Sequence, residues 1–280
     1  METEFSKYHA LGNDFLVVEY PTRRPAKTMM GRLAESICDR RTGVGADGIL
    51  CISPGKKIGL RLDIYNADGS WAEKSGNGLR IAGLHLHRRD RRRRSFEFET
   101  GSSVDRVDIV RRGKSDYLVR SALAPPEFAC AEVPVRSKRS YMINAPLRVG
   151  DVSLPVTCLS VGNPHTVLFV DSLDFDWPTL GEEIEHLKVF PNRTNVELVK
   201  ILTHRKLRLA DWERGAGATG SSGTGAAAAV VAAVVNGQAD RECEVMFDSG
   251  SIQVNWRQSD DRIELTGPVN FICHGIYGAR

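Results

Sequence analysis

The feature that most constrains this 280-residue chain is a repeat that sequence identity alone would hide. A polar turn runs into an apolar strand at Gly12-Asn13-Asp14-Phe15-Leu16-Val17-Val18, and again at Gly162-Asn163-Pro164-His165 leading into Thr166–Val170. Each is followed by a serine-glycine turn, first Ser75-Gly76-Asn77-Gly78 and then Ser222-Gly223-Thr224-Gly225. Asn13 precedes Ser75 by 62 residues, and Asn163 precedes Ser222 by 59. Unrelated loops rarely agree in type, order and spacing. The expectation is two similar domains built on one plan. They cover 1–120, completed by 267–280, and 121–266, with the proline-bearing stretch 122–146 as the passage between them.

Each serine-glycine turn opens an apolar segment. After the first come Leu79, Ile81, Ala82, Leu84 and Leu86. After the second comes Ala226-Ala-Ala-Ala-Val-Val-Ala-Ala-Val-Val235, apolar on every side and therefore a buried helix. Short apolar or alternating runs predict strands at 15–18, 48–52, 60–65, 96–99, 117–120, 156–160, 167–170, 195–201, 207–212, 243–247, 252–256 and 263–266. Many strands and few helices predict an α+β fold of two pseudo-symmetric domains, each a mostly antiparallel sheet wrapped around a central helix.

Composition narrows the function classes. Hydrophobic residues make up 41% and charged residues 26%, as in globular proteins. A net charge of +3 gives no general reason to expect nucleic acid, and the basic run Arg88-Arg-Asp-Arg-Arg-Arg-Arg94 reads as a solvated helix end. No run of 18 apolar residues suggests a membrane span, and no signal-peptide pattern opens the chain, so a cytoplasmic protein is expected. The six cysteines form no CxxC pair and are expected as free buried thiols, with no metal site.

The candidate chemistry sits at the loops. Backbone N–H groups at Gly76-Asn77 and Gly223-Thr224 could cradle a carboxylate at the two helix starts. Taken singly, an SGxG turn is more often a tight helix-starting turn with a serine cap. Asn13, Asn66, Asn163 and Asn195 could meet an amino acid's donors and acceptors, although asparagine is common in turns for its own reasons. Glu213 could accept from an ammonium group and Arg214 could clasp a carboxylate, with an exposed ion pair as the plainer reading. His165 sits inside a repeated motif, whereas His9 only lies near one.

The stretches HALGNDFLVVE, RRTGVGADGIL, YNADGSWAEKSGNGLR, VGNPHTVLFV, RTNVELV and WERGAGATGSSGTGAAAAVVAA occur in that order. Together they resemble the successive motifs of diaminopimelate epimerases, from residue 5 to about 237, with a weaker stretch at 85–150. The resemblance implies two pseudo-symmetric domains with the active site between them, no cofactor and no metal. It implies a homodimer acting on a small amino acid and serving lysine and cell-wall synthesis. It also implies two cysteines that remove and deliver the α-proton from opposite faces. Those positions fall on Ser75 and Ser222. The substrate contacts fall on Asn13, Asn66, Asn163, Asn195, Glu213 and Arg214, the backbone cradle on Gly76, Asn77, Gly223 and Thr224, and the histidine near the reacting centre on His165. A position the family often fills with glutamine is Gly48.

Serine at both cysteine positions changes the chemistry. A thiol has a pKa near ~8.5 that a helix N-terminus lowers, whereas a serine hydroxyl needs an adjacent base. His165 or Glu213 could supply one. The expectation is weak epimerisation. The alternatives are dehydration or another isomerisation of a different amino acid, and amino-acid binding without turnover. A phenazine-synthesis-type isomerase would share the two-domain plan, but Glu213-Arg214 and the four asparagines favour an amino acid with two polar ends.

Overall fold

The computed structural model describes residues 2–101, 103–112 and 117–278, in two compact units. The first holds Met1–Ala122 with Thr266–Arg280, and the second Leu123–Leu265.

The first unit runs β1 (Glu2–Ala10), β2 (Asn13–Glu19), α1 (Lys27–Ile37), β3 (Gly48–Pro54), β4 (Leu60–Asn66), β5 (Trp71–Ala72), α2 (Gly76–Arg89), β6 (Ser95–Thr100), β7 (Ser103–Arg112) and β8 (Tyr117–Leu123). The second runs β9 (Ala145–Val149), β10 (Val152–Ser160), β11 (Pro164–Phe169), α3 (Trp177–Glu185), β12 (Asn195–Thr203), β13 (Lys206–Glu213), β14 (Gly217–Thr219), α4 (Gly223–Val235), β15 (Glu242–Phe247) and β16 (Gly250–Trp256). The last strand, β17 (Ile263–Gly278), contributes its residues from Thr266 onward to the first unit.

The repeat is legible in this order. From β2 to β7 the first unit runs strand, helix, three strands, helix, two strands, and the second does the same from β11 to β16. In both, the first crossover helix joins a parallel pair, β2 with β3 and β11 with β12. In both, the second joins another parallel pair, β4 with β6 and β13 with β15. The neighbouring pairs β1–β2, β3–β4, β6–β7, β10–β11, β12–β13 and β15–β16 are antiparallel, so each sheet is mixed where its helices cross over. In the first unit the neighbours β1, β2, β3, β4, β6, β7, β8 and β17 return to β1 and close a barrel, which removes its free edges.

Continuous apolar runs in β2 and β3 arise because both faces are covered. Phe15 and Val17 join the cluster around Leu79, Ile81 and Leu84 of α2, while Leu16 and Val18 pack with Met30, Ala34 and Ile37 of α1. Helix α2 packs against β1, β2, β3, β4 and β7, and α4 against β10, β11, β12, β13, β15 and β16. Every residue from Ala226 to Ala233 is buried. Helix α2 carries buried polar groups instead, and its histidines are bonded: His85 Nδ1 lies 3.0 Å from the Tyr8 hydroxyl, and His87 Nδ1 2.8 Å from the Arg93 carbonyl.

Each expected strand lies in an observed one to within a residue. The crossover helices α1 and α3, and the strands β1, β5, β7, β9 and β14, are additions to that reading. The run from Arg88 to Arg94 is the end of α2 and the turn after it. Among the described residues no helix is long and apolar enough to cross a membrane.

Candidate functional site

Ser75 and Ser222 are the N-caps of α2 and α4. Both hold extended backbone, with φ −145° and −120°, and each Oγ accepts the backbone N–H three residues on. The donors are Gly78 at 3.0 Å and Gly225 at 3.1 Å. Close approach favours glycine at both, more tightly at Gly78 than at Gly225. A Cβ on Gly78 would stand 2.7 Å from Leu50 Cδ2, and one on Gly225 3.2 Å from Glu197 Oε1.

The repeated asparagines are brought to these caps. Leu11 and Gly12, both at positive φ, form the two-residue turn that pairs Ala10 with Asn13. Asn77 Nδ2 donates to Asn13 Oδ1 at 3.1 Å. In the second unit Asn163 Nδ2 donates to Thr224 Oγ1 at 3.4 Å. Asn77 and Thr224 each lie two residues past their serine, so the duplicated motif carries a cross-link at the same place twice, the helix residue donating in the first unit and accepting in the second.

Around the first cap, Asn13 Nδ2 donates to Asp47 Oδ2 at 2.7 Å, and Arg40 reaches both Asp14 and Asp47 at 2.8 Å. Burial is the largest single influence on the Asp14 carboxyl and would raise it, but Arg40 and Lys7 together outweigh burial and hold it below its ordinary range. Asn66 ends β4 and donates to Ser70 Oγ at 2.9 Å. At Gly48 a Cβ would stand 2.4 Å from the Tyr65 carbonyl oxygen, so this backbone leaves no room for a side chain there. His9 Nδ1 accepts from Gly12 N–H at 3.4 Å.

Around the second cap lies a buried acid cluster. His165 is fully buried; its Nδ1 is 2.6 Å from Glu197 Oε1 and its Nε2 2.9 Å from Asn163 Oδ1. Both ring nitrogens are therefore engaged, while Ser222 Oγ has Thr224 Oγ1 at 3.4 Å. Burial pushes the Glu197 carboxyl up, opposed by His165. Asp211 is pushed up to about 8, first by burial and then by the Glu213 and Glu197 carboxylates. Thr219 Oγ1 lies in hydrogen-bond contact with the Asp211 carboxyl and, at 2.6 Å, with Glu213 Oε1. Asn195 Nδ2 donates to the Pro164 carbonyl at 2.8 Å, and its Oδ1 accepts the Arg214 backbone N–H at 2.9 Å. The Arg214 guanidinium donates to the Asn192 carbonyl at 3.1 Å.

Glu197 and Asp211 were not among the candidates from sequence. Each sits two positions from one that was, Asn195 or Glu213, and so on the same strand face. The available signal was a carboxylate at an inward position: Glu197 inside the apolar run of β12, and Asp211 continuing the Leu207, Leu209 alternation of β13. The cysteines offer no substitute for the two serines. All six are free, but Cys273 is exposed rather than buried as expected; burial pushes Cys38, Cys51 and Cys158 up to about 12 and Cys243 to about 11.

Two strand-rich units, each with a glycine-opened helix capped by serine, define a duplicated two-domain fold of the PhzF and diaminopimelate epimerase type. A PhzF-family phenazine biosynthesis protein from Bacillus anthracis shares it, with a TM-score of 0.68 at 16% identity, covering 100% of both chains. The diaminopimelate epimerase family model matches residues 5–122 and 157–272, and the chain belongs to that family. A diaminopimelate epimerase of Microcystis aeruginosa is 36% identical over 284 residues, covering 99% of each chain. One from Magnetococcus marinus is 37% identical over 277 residues, covering 98% of this chain and 97% of its own.

Proposed function

We propose that this protein epimerises an amino acid at its α-carbon without a cofactor, converting L,L-diaminopimelate to meso-diaminopimelate slowly. The observation that carries the reading is the twice-built cap: a serine at a glycine-opened helix start, tied to a hairpin asparagine, in a chain whose relatives are diaminopimelate epimerases. In this reading the free N–H groups of Gly76-Asn77 and Gly223-Thr224 hold the α-carboxylate and stabilise the carbanion-like transition state. One of Ser75 and Ser222, having given its own hydroxyl proton to His165 or Glu213, removes the α-proton; the other, as the hydroxyl, delivers a proton to the opposite face and is left as the alkoxide. Asn13, Asn66, Asn163, Asn195, Glu213 and Arg214 orient the substrate, and His165 lies near the reacting centre. A cytoplasmic homodimer accompanies this reading; the exposed Ile272 and Ile276 of β17 support contact with a second copy.

The second reading, binding without turnover, draws on the same serines. Each Oγ already accepts as a helix cap, and both nitrogens of His165 are engaged. Proton NMR in deuterium oxide separates the readings. Epimerisation exchanges the α-hydrogen of L,L- or meso-diaminopimelate. Binding alone gives a thermal shift without exchange. A dehydratase leaves diaminopimelate untouched and releases a keto acid or cyclic imine from a hydroxylated amino acid. Ser75→Cys with Ser222→Cys should raise exchange at least about tenfold, equivalent to ~1.4 kcal/mol of barrier. No gain in that variant would sink the substrate assignment.

A further inference from the structure

Arg80, the sixth residue of Ser75-Gly-Asn-Gly-Leu-Arg80, is fully buried on α2. Helical side chains lean toward the N-terminus, so its guanidinium folds back over the first turn. There Nη2 donates to Asn77 Oδ1. Among the described residues Nε and Nη1 have no hydrogen-bond partner. Desolvation lowers the Arg80 pKa to about 10, with no carboxylate acting against it. A buried cation with one neutral acceptor is costly, and an apolar side chain of similar volume would usually serve stability better.

The repeat argues against a merely structural need. Five residues past the second serine stands Ala227, so the equivalent helix packs without a cation. The residue packed against each capping glycine also differs: Leu50 against Gly78, but Glu197 against Gly225. One cap has a buried positive charge beside it and the other a buried acid.

Arg80 also opens a directional hydrogen-bond chain. It donates to Asn77 Oδ1, Asn77 Nδ2 donates to Asn13 Oδ1, and Asn13 Nδ2 donates to Asp47. This fixes both amides and leaves the cation at the end nearest the helix start.

We propose that Arg80 is a positioning residue of the first cap, whose buried charge is compensated by an anionic ligand, the substrate's carboxylate, at the N-terminus of α2. The identity of that ligand as an α-amino acid rests on the function proposed above.

The test compares the full-length wild type with Arg80→Met, Arg80→Gln and Arg80→Lys. Without ligand, Arg80→Met should be at least as resistant to urea as the wild type. Calorimetric titration with meso-diaminopimelate should show at least about tenfold weaker binding for Met and Gln, with Lys partly restored. The exchange assay should show a raised KM in these variants, with kcat reduced less. Gln can keep the bond to Asn77 without the charge; wild-type affinity in Arg80→Gln would overturn the proposal even if Arg80→Met fails to fold. Reduced urea resistance with unchanged affinity would also overturn it. Sodium acetate separates this inference from the substrate assignment. If acetate raises the wild-type melting temperature more than sodium chloride does, and the excess vanishes in Arg80→Gln, Arg80 stands even where diaminopimelate does not bind. Neither acetate stabilisation nor diaminopimelate binding in the wild type would overturn it.

Discussion

Asp211 makes the stability of the second unit depend on pH in a direction opposite to most carboxylates. Its carboxyl is buried on β13, and its pKa rises from 3.8 to about 8, chiefly through burial. Between those values the folded protein holds a proton that the unfolded chain has released. The unfolded state then binds fewer protons, so stability falls as pH rises, by up to about 1.4 kcal/mol per pH unit. Across the interval the ceiling is about 6 kcal/mol, and relaxation around the site reduces it to a few. Asp211→Asn removes the titration and keeps an oxygen to accept from Thr219. The variant should exceed the wild type by at least about 2 kcal/mol at pH 9, and the gap should close toward pH 4. Urea unfolding followed by tryptophan fluorescence reads this, since Trp177, Trp212 and Trp256 lie in the second unit and only Trp71 in the first. A constant difference between variant and wild type from pH 4 to 9 would refute the reasoning.

Two further substitutions probe the frame of the caps. His165→Asn should destabilise by about 2–4 kcal/mol, because it strands the buried Glu197 carboxyl; adding Glu197→Gln should recover at least about 1 kcal/mol in a double-mutant cycle. Strictly additive losses would mean that the 2.6 Å contact carries no coupling. Gly83→Ala should cost about 1–3 kcal/mol although alanine is the better helix former by ~1, since its Cβ would stand 2.5 Å from Val107 Cγ1. Thermal denaturation decides this, and a stabilised variant would show that Val107 gives way freely.

The parts of this molecule legible in sequence are those where local chemistry and tertiary demand agree. Glycine after a serine cap, and β-branched runs between turn residues, mean the same thing locally and globally. The alanine-rich α4 could be read as buried because small apolar residues on every side have no solvent face to offer. Helix α1 was missed although Met30, Ala34 and Ile37 keep helical spacing, because polar residues crowd the stretch and Ala26 gives it no side-chain cap. Strand β1 was hidden for another reason: one of its partners is β17, at the far end of the chain. The parallel pairs were unreadable because a run buried on both faces looks alike whichever way its neighbour points. Arg80, Glu197 and Asp211 ran against the pattern, since charge inside a core violates the rule by which the core is recognised.

The serines themselves carry two demands that pull apart. At an N-cap, serine is among the favoured residues, and losing the cap typically costs about 1 kcal/mol. Both hydroxyls meet that demand, accepting from Gly78 and Gly225. As bases they are poorer than thiols at neutral pH. The cysteine pair proposed as a test should therefore exchange protons faster in a protein about 1–2 kcal/mol less stable. Both shifts have one cause, the replacement of a hard hydrogen-bond acceptor by a weaker, more acidic one. A variant that gained activity with no loss of stability would separate capping from catalysis, and the serines would then need an explanation other than the helix they begin.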